Sequence, residues 1–295
     1  PEDLHIFQQG VMPAVDAVTG KLLMQSTSSL ALSPDGHGGT VAALDRCGCL
    51  ADAANRGIQH LAYIQVDNPL AHLCEPELIG HHLMAASEMT TQVVRKRYPM
   101  EKVGNVVLVD EQVQIIEYSD LPEHAAEAVT EDGSLKLWAG NIAVHLFNIG
   151  FLQKIVGQAS SLPFHRALKK VPHCDEGGQL VAPDQPNAIK FERFIFDLLP
   201  IAKNAFVVES LASEAFAPVK NADGAETDTP NAAKNAIADL HRGWLEEAGA
   251  SVDEGVQVEI NPRLALSAGD LHEKIGTNLR IDKDRYFDTR LETSE

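Results

Sequence analysis

Apolar and polar positions follow two rhythms along this chain. Between residues 41 and 58, Val41, Leu44, Cys47, Leu50, Ala54 and Ile58 recur every three or four positions, which predicts one helix with a single buried face and Gly57 as its stop. A second helix is predicted over 76–94. A third starts where Thr229 can cap Pro230; Ala233, Ile237, Leu240, Trp244 and Ala248 then line one face until Gly249. Strand-like runs lie between these helices. Residues 4–7 open, 60–66 end abruptly in Asp67-Asn68-Pro69, and 103–109 with 113–118 read as a hairpin joined by Asp110-Glu111-Gln112. Residues 191–196 and 205–209 look like further elements. Strands alternating with helices predict an α/β fold with a mixed, mostly parallel sheet.

Residues 218–229 are polar and turn-rich, a surface loop by composition. This places a domain boundary at 217/218: a core over 1–217, then a helix and a small β-rich α+β region over 218–295. The sequence begins with Pro1 and runs almost at once into a strand-like segment, which suggests a piece of something longer.

The 295 residues are 44% hydrophobic and 22% charged, ordinary values for a globular chain. A net charge of −18 is spread along the sequence. It argues against duplex nucleic acid as a partner, because phosphate backbones need clustered Lys and Arg. No apolar run reaches the ~20 residues that cross a bilayer. The four cysteines form neither a C-x-x-C pair nor a repeating framework, so the expectation is a reduced, cytoplasmic setting without membrane contact.

The densest chemical signal is Ser33-Pro34-Asp35-Gly36-His37-Gly38-Gly39. Glycines admit positive φ and leave no Cβ to hold a ligand away from the backbone, and a helix beginning near Thr40 would aim its free amides into the loop. The loop matches neither G-x-x-x-x-G-K-[ST] nor G-x-G-x-x-G, so a plain tight turn is an equal reading. Gln8-Gln9-Gly10 offers amides that can pair with the edge of a base, or only a polar strand end. Asp67 sits at the carboxyl end of an apolar strand, where open α/β sheets gather ligand groups. One such carboxylate suits Mg²⁺, though strands also end on an ordinary Asp. Lys220 in the polar loop could face phosphate or only solvent.

Taken in order, Gln-Gln-Gly, Pro-Asp-Gly-x-Gly-Gly, Val-Asp-Asn, Glu-Tyr-Ser, Gly-Asn-Ile-Ala-x-His, Phe-x-Phe-Asp and Lys-Asn-Ala-Asp resemble the eukaryotic-type UDP-N-acetylglucosamine pyrophosphorylases over most of the chain. That resemblance implies a Rossmann-like nucleotidyltransferase core that joins UTP to a sugar 1-phosphate, giving a UDP-sugar, with N-acetylglucosamine as the leading sugar, and pyrophosphate. It further implies that Gln9 and the Gly36 backbone read the uracil edge while Leu32 and Pro34 line its face. Glu117 and Asn141 would bind the sugar, with Phe194 and Phe196 walling its pocket, although core packing is an open alternative for the two rings. Asp67 would hold Mg²⁺ and Lys220 would contact phosphates.

Two departures qualify that picture. His37 stands where the N-acetylglucosamine enzymes usually carry Asn; UDP-glucose pyrophosphorylases have Gly-His-Gly at a comparable place, which makes UDP-glucose synthesis the alternative. The family's Leu-x-x-Gly-x-Gly-Thr-Arg-Leu segment is not found in these residues. The expectation is therefore a partial active site whose partner is the N-terminal segment of the same protein, or else a UDP-sugar-binding fragment that does not turn over.

Overall fold

Met89–Arg95 is the strand on which the central sheet is organised. Met89, Thr90, Thr91, Gln92, Val93 and Val94 are all buried, so the segment is covered on both faces and carries no in–out alternation. The computed structural model describes residues 3–156, 162–275 and 278–289. In it, this strand lies between Phe206–Glu209 and the long strand Ala139–Asn148. Beyond Ala139–Asn148 come Gly104–Val109 and Gln112–Ile116, and His60–Tyr63 pairs with its other end.

The helix expected over 76–94 is therefore corrected. Pro76–Met84 is helical, Ala86 turns the chain at φ +46°, and a strand follows. Buried Thr90, Thr91 and Gln92 read as a polar helix face because nothing in the sequence announces that polar side chains will be enclosed. The helix expected over 41–58 is also two: Gly39–Arg46 and Cys49–Asn55, separated where Gly48 takes φ +78°. The apolar period survived the break because Val41, Leu50 and Ala53 enter one core. Residues 4–7 form no strand; Leu4 is 63% and Ile6 90% exposed, and the first strand is Val11–Pro13, paired with Leu32–Pro34.

The α/β class holds. Within it, the 104–116 hairpin is antiparallel as expected, and the ladders joining Ala139–Asn148 to its three neighbours also run antiparallel, where the alternation suggested a mostly parallel sheet. The hairpin turns on Asp110 and Glu111, both at positive φ, the geometry that matches strand twist. Between Asn141 and Val144 the register against Met89–Arg95 shifts by two extra residues, with Ala143 at φ +57°. This bulge lies beside Asn141.

The chain divides into two units, 1–63 with 74–208, and 64–73 with 209–295. In the first, Met89, Phe147, Phe151, Leu152, Ile155, Leu198 and Leu199 form the main core. The second is built on the helix Pro230–Glu247. Thr229 Oγ1 accepts from the Ala232 amide at 3.1 Å and Gly249 closes the other end at φ +97°, as the capping residues predict. Leu245, Leu271 and Phe287 fill its core beneath the parallel pair Val258–Ile260 and Arg285–Phe287. No helix among the described residues is long and apolar enough to cross a membrane, and none of the four cysteines is in a disulfide.

Candidate active site

The glycine-rich loop is docked first by backbone hydrogen bonds. The Arg193 amide donates to the Asp35 carbonyl at 2.8 Å, and the Gly38 amide donates to the Arg193 carbonyl at 2.8 Å. Gly36 sits at φ +81°, where a Cβ would lie 2.4 Å from the Arg193 carbonyl oxygen. At Gly39 a Cβ would collide with the Asp35 carboxylate, which also fills the space above Gly10. Asp35 is thus the buried centre of the loop, a role that glycine spacing alone did not reveal. Gln9 Nε2 donates to Asp35 Oδ1 (3.3 Å) and to the Gly36 carbonyl (3.2 Å), so Gln9 meets the loop, though from an irregular segment ahead of the strand Val11–Pro13 and not from the end of a strand. Leu32 and Pro34 are exposed beside them.

The strand Ala188–Glu192 delivers Arg193, Phe194 and a 3-10 helix over Ile195–Ile201 to the loop. His37 stacks on Phe194 (centroids 5.0 Å, interplanar 15°) and is tilted against Phe196 at 5.5 Å. Its Nδ1 accepts the Ile195 amide at 3.1 Å, which leaves the proton of the neutral ring on Nε2. Phe196 is buried in the core and Phe194 is half-buried. Glu117 and Asn141 converge on Gly104, and the strand Gln112–Ile116 that leads to Glu117 packs on the 3-10 helix. A Cβ on Gly104 would lie 3.3 Å from Glu117 Oε2 and 3.6 Å from Asn141 Cβ. Asn141 Oδ1 accepts from the Ala143 amide at 3.0 Å across the bulge, leaving Nδ2 to donate.

Asp67 and Lys220 belong to the second unit. The Val219 amide donates to the Asp67 carbonyl at 2.8 Å. Asn68, fully enclosed, donates to the Ala215 carbonyl (2.8 Å) and accepts from the Ala217 amide (3.0 Å). Segments about 150 positions apart in sequence are thereby zipped together, and Asn68 does the zipping. Lys220 is exposed, with Nζ 6.0 Å from the Phe216 ring. Asp67 is half-buried, and no group of three metal-binding side chains occurs among the described residues.

Three histidines in the first unit, the buried His82 and His145 and the half-buried His37, are held neutral. Burial first, then neighbouring His165, lowers the pKa of His37 to about 4. Burial and His60 do the same for His82, whose ring bridges His60 and Thr90. Burial and His37 take His145 to about 3; its Nδ1 meets Thr91 Oγ1 at 2.9 Å while Nε2 is buried without a partner. A depressed folded pKa means that the unfolded chain binds the proton first. The stability is present above the ordinary histidine value and is lost as pH falls from about 6.5 towards 4, by up to ~1.4 kcal/mol per pH unit for each ring. Urea unfolding at pH 7 and pH 5 is expected to show the lower midpoint at pH 5; equal midpoints would contradict this.

The α/β fold is of the nucleotidyltransferase-like class, matching solved UDP-sugar pyrophosphorylase folds. The chain belongs to the UTP–glucose-1-phosphate uridylyltransferase family, whose profile matches residues 1–238. It is 40% identical over 248 residues to the UDP-N-acetylhexosamine pyrophosphorylase-like protein 1 of Xenopus tropicalis, covering 84% of this chain and 48% of that protein. It is 36% identical over 292 residues to the UDP-N-acetylglucosamine pyrophosphorylase of Saccharomyces cerevisiae, covering 97% and 59%. A crystal structure from Entamoeba histolytica, provisionally assigned as a UDP-N-acetylglucosamine pyrophosphorylase, matches with a TM-score of 0.85 at 30% identity, covering 97% of this chain and 71% of that one. The chain spans about half the length of the curated relatives it matches.

Proposed function

We propose that the intact protein transfers a uridylyl group from UTP to a sugar 1-phosphate, releasing pyrophosphate and leaving a UDP-sugar, with N-acetylglucosamine 1-phosphate as acceptor. The observation that carries the reading is the docking of the glycine loop on Arg193, with Gln9 at its edge. Gln9 Nε2 is engaged with the loop, so its carbonyl oxygen remains to accept the uracil N3–H while the Gly36 backbone reads the same edge beside it. Leu32 and Pro34 offer an apolar face for the base. Glu117 and Asn141 take sugar hydroxyls and the N-acetyl group, and Phe194 and Phe196 wall that side.

The chemistry is in-line attack by the sugar phosphate on the α-phosphorus of UTP. Because the nucleophile is already ionised, positioning and charge neutralisation carry the rate and no general base is required. The Asp67 carboxylate has no hydrogen bond or ion pair among the described residues, so it fits a Mg²⁺ held by one carboxylate plus substrate phosphates. Bound there, Mg²⁺ would screen the phosphate oxygens. Lys220, beside the backbone that holds Asp67, meets the same charge. Cytoplasmic location is part of the proposal, supported by four unpaired thiols.

His37 favours a second reading, synthesis of UDP-glucose. Its ring occupies the loop with Nε2–H as donor, where an amide would offer both donor and acceptor. A competition assay of the full-length protein with glucose 1-phosphate and N-acetylglucosamine 1-phosphate decides. The expected result is preference for the N-acetylated sugar by at least about 10-fold, sharpened in His37→Asn; preference for glucose 1-phosphate assigns the protein to UDP-glucose. Binding of UDP-sugar without pyrophosphate release from UTP and either sugar phosphate would sink the transferase reading.

A further inference from the structure

His165 belongs to none of the motifs that the uridylyltransferase reading uses, yet it lies against one of them, Phe-x-Phe-Asp. It opens the strand His165–Lys169, opposite Glu192 in the neighbouring strand. Its ring stacks on Phe194 with centroids 4.2 Å apart and an interplanar angle of 28°. Phe194 in turn stacks on His37 at 5.0 Å. The result is a three-layer stack, imidazole on phenyl on imidazole, and each outer ring is pinned at a nitrogen. His165 Nε2 donates to Asp197 Oδ2 at 2.9 Å, and His37 Nδ1 accepts from the Ile195 amide at 3.1 Å. Asp197 is itself placed by its own amide, which donates to the Phe194 carbonyl at 3.2 Å. One short segment, Phe194 to Asp197, therefore supplies the middle layer and both pins.

Such a stack has a mechanical consequence. A lone phenyl on a loop can swing about its side-chain torsions. Clamped between two rings whose orientations are fixed by hydrogen bonds, it has one orientation. The geometry points to His165 and Asp197 as positioning residues that hold Phe194, and through it His37, in the orientation that shapes the sugar side of the pocket. Neither touches the reacting phosphorus. The functional half of this inference rests on the uridylyltransferase reading; the mechanical half does not.

The test uses the full-length protein and the variants His165→Ala, His165→Phe and Asp197→Asn. His165→Ala removes ring and pin, and is expected to raise KM for the sugar 1-phosphate by about 10-fold, the scale of one aromatic stacking contact, with kcat and KM for UTP within about 3-fold of wild type. Asp197→Asn keeps an oxygen to accept from Nε2–H and should restore KM to within about 3-fold of wild type. His165→Phe keeps the layer without the pin and should fall between them; it carries the test if the alanine variant does not fold. Equal losses in kcat and both KM values, or no change in KM for the sugar phosphate, would overturn the assignment. Hydrogen exchange of the Ile195 amide, which reports the His37 pin, is expected to quicken about 10-fold in His165→Ala. That arm needs no turnover. A wild-type protein without transferase activity would therefore end the uridylyltransferase reading alone, whereas unchanged exchange would end the positioning role.

Discussion

Gly36→Ala is expected to lose uridine-nucleotide binding by about 100-fold and to lower stability by about 2–4 kcal/mol, the combined scale of a non-glycine residue at positive φ and an overpacked contact. The reason is local and rigid. The new methyl carbon would lie 2.4 Å from the Arg193 carbonyl and 2.6 Å from its amide nitrogen. Those are backbone atoms, and the Arg193 amide and carbonyl hold the loop through Asp35 and Gly38, so neither can retreat without undocking it. Gly57 is the control: it has φ +74° but nothing within 4 Å, so Gly57→Ala should show only backbone strain, about 1–2 kcal/mol, with binding unchanged. Calorimetry with UDP-sugar and urea unfolding read both effects. Near wild-type affinity in Gly36→Ala would mean that the loop does not form the uridine site.

Lys220→Ala in the full-length protein is expected to lower turnover by about 10²–10³-fold, the scale of removing one fixed donor from a developing charge. KM for the sugar phosphate should move far less, because the cation matters most where phosphate oxygens crowd during transfer. Lys220 follows Val219, whose amide is tied to the Asp67 carbonyl, and its own amide donates to the Asp228 carbonyl at 2.8 Å. The backbone on both sides of the cation is thus set, while Nζ stays at the end of a flexible stem. Lys220→Arg should recover part of the rate. An unaltered kcat in Lys220→Ala would remove this residue from the mechanism.

Local rules made some features legible in the sequence and left others hidden. The helix Pro230–Glu247 was readable to its ends because Thr229, Pro230 and Gly249 act on their own neighbours. The glycine loop was readable for the same reason, and the order of the motifs pointed to the family. Met89–Arg95 was not, since its strand character depends on enclosure by elements distant in sequence. Asp35, Asn68, His165 and Asp197 share that difficulty. Each is an ordinary polar residue until the fold brings it a partner: Gln9 for Asp35, the backbone of residues 215 and 217 for Asn68, and His165 with Asp197 for each other. Asp35, Asn68 and Asp197 gave a local signal as members of Pro-Asp-Gly-x-Gly-Gly, Val-Asp-Asn and Phe-x-Phe-Asp, without showing their partners; His165 gave none.

The bulge in Ala139–Asn148 has an evolutionary side. A pleated strand repeats every two residues, and the detour at Ile142-Ala143 is two residues long. Lengthening or removing it by that step preserves the parity of everything downstream, so His145 and Phe147 keep their faces while Asn141 is offered at a new angle. The strand is in effect two modules joined by a spacer, a frame that stays put and a tip that can be tuned.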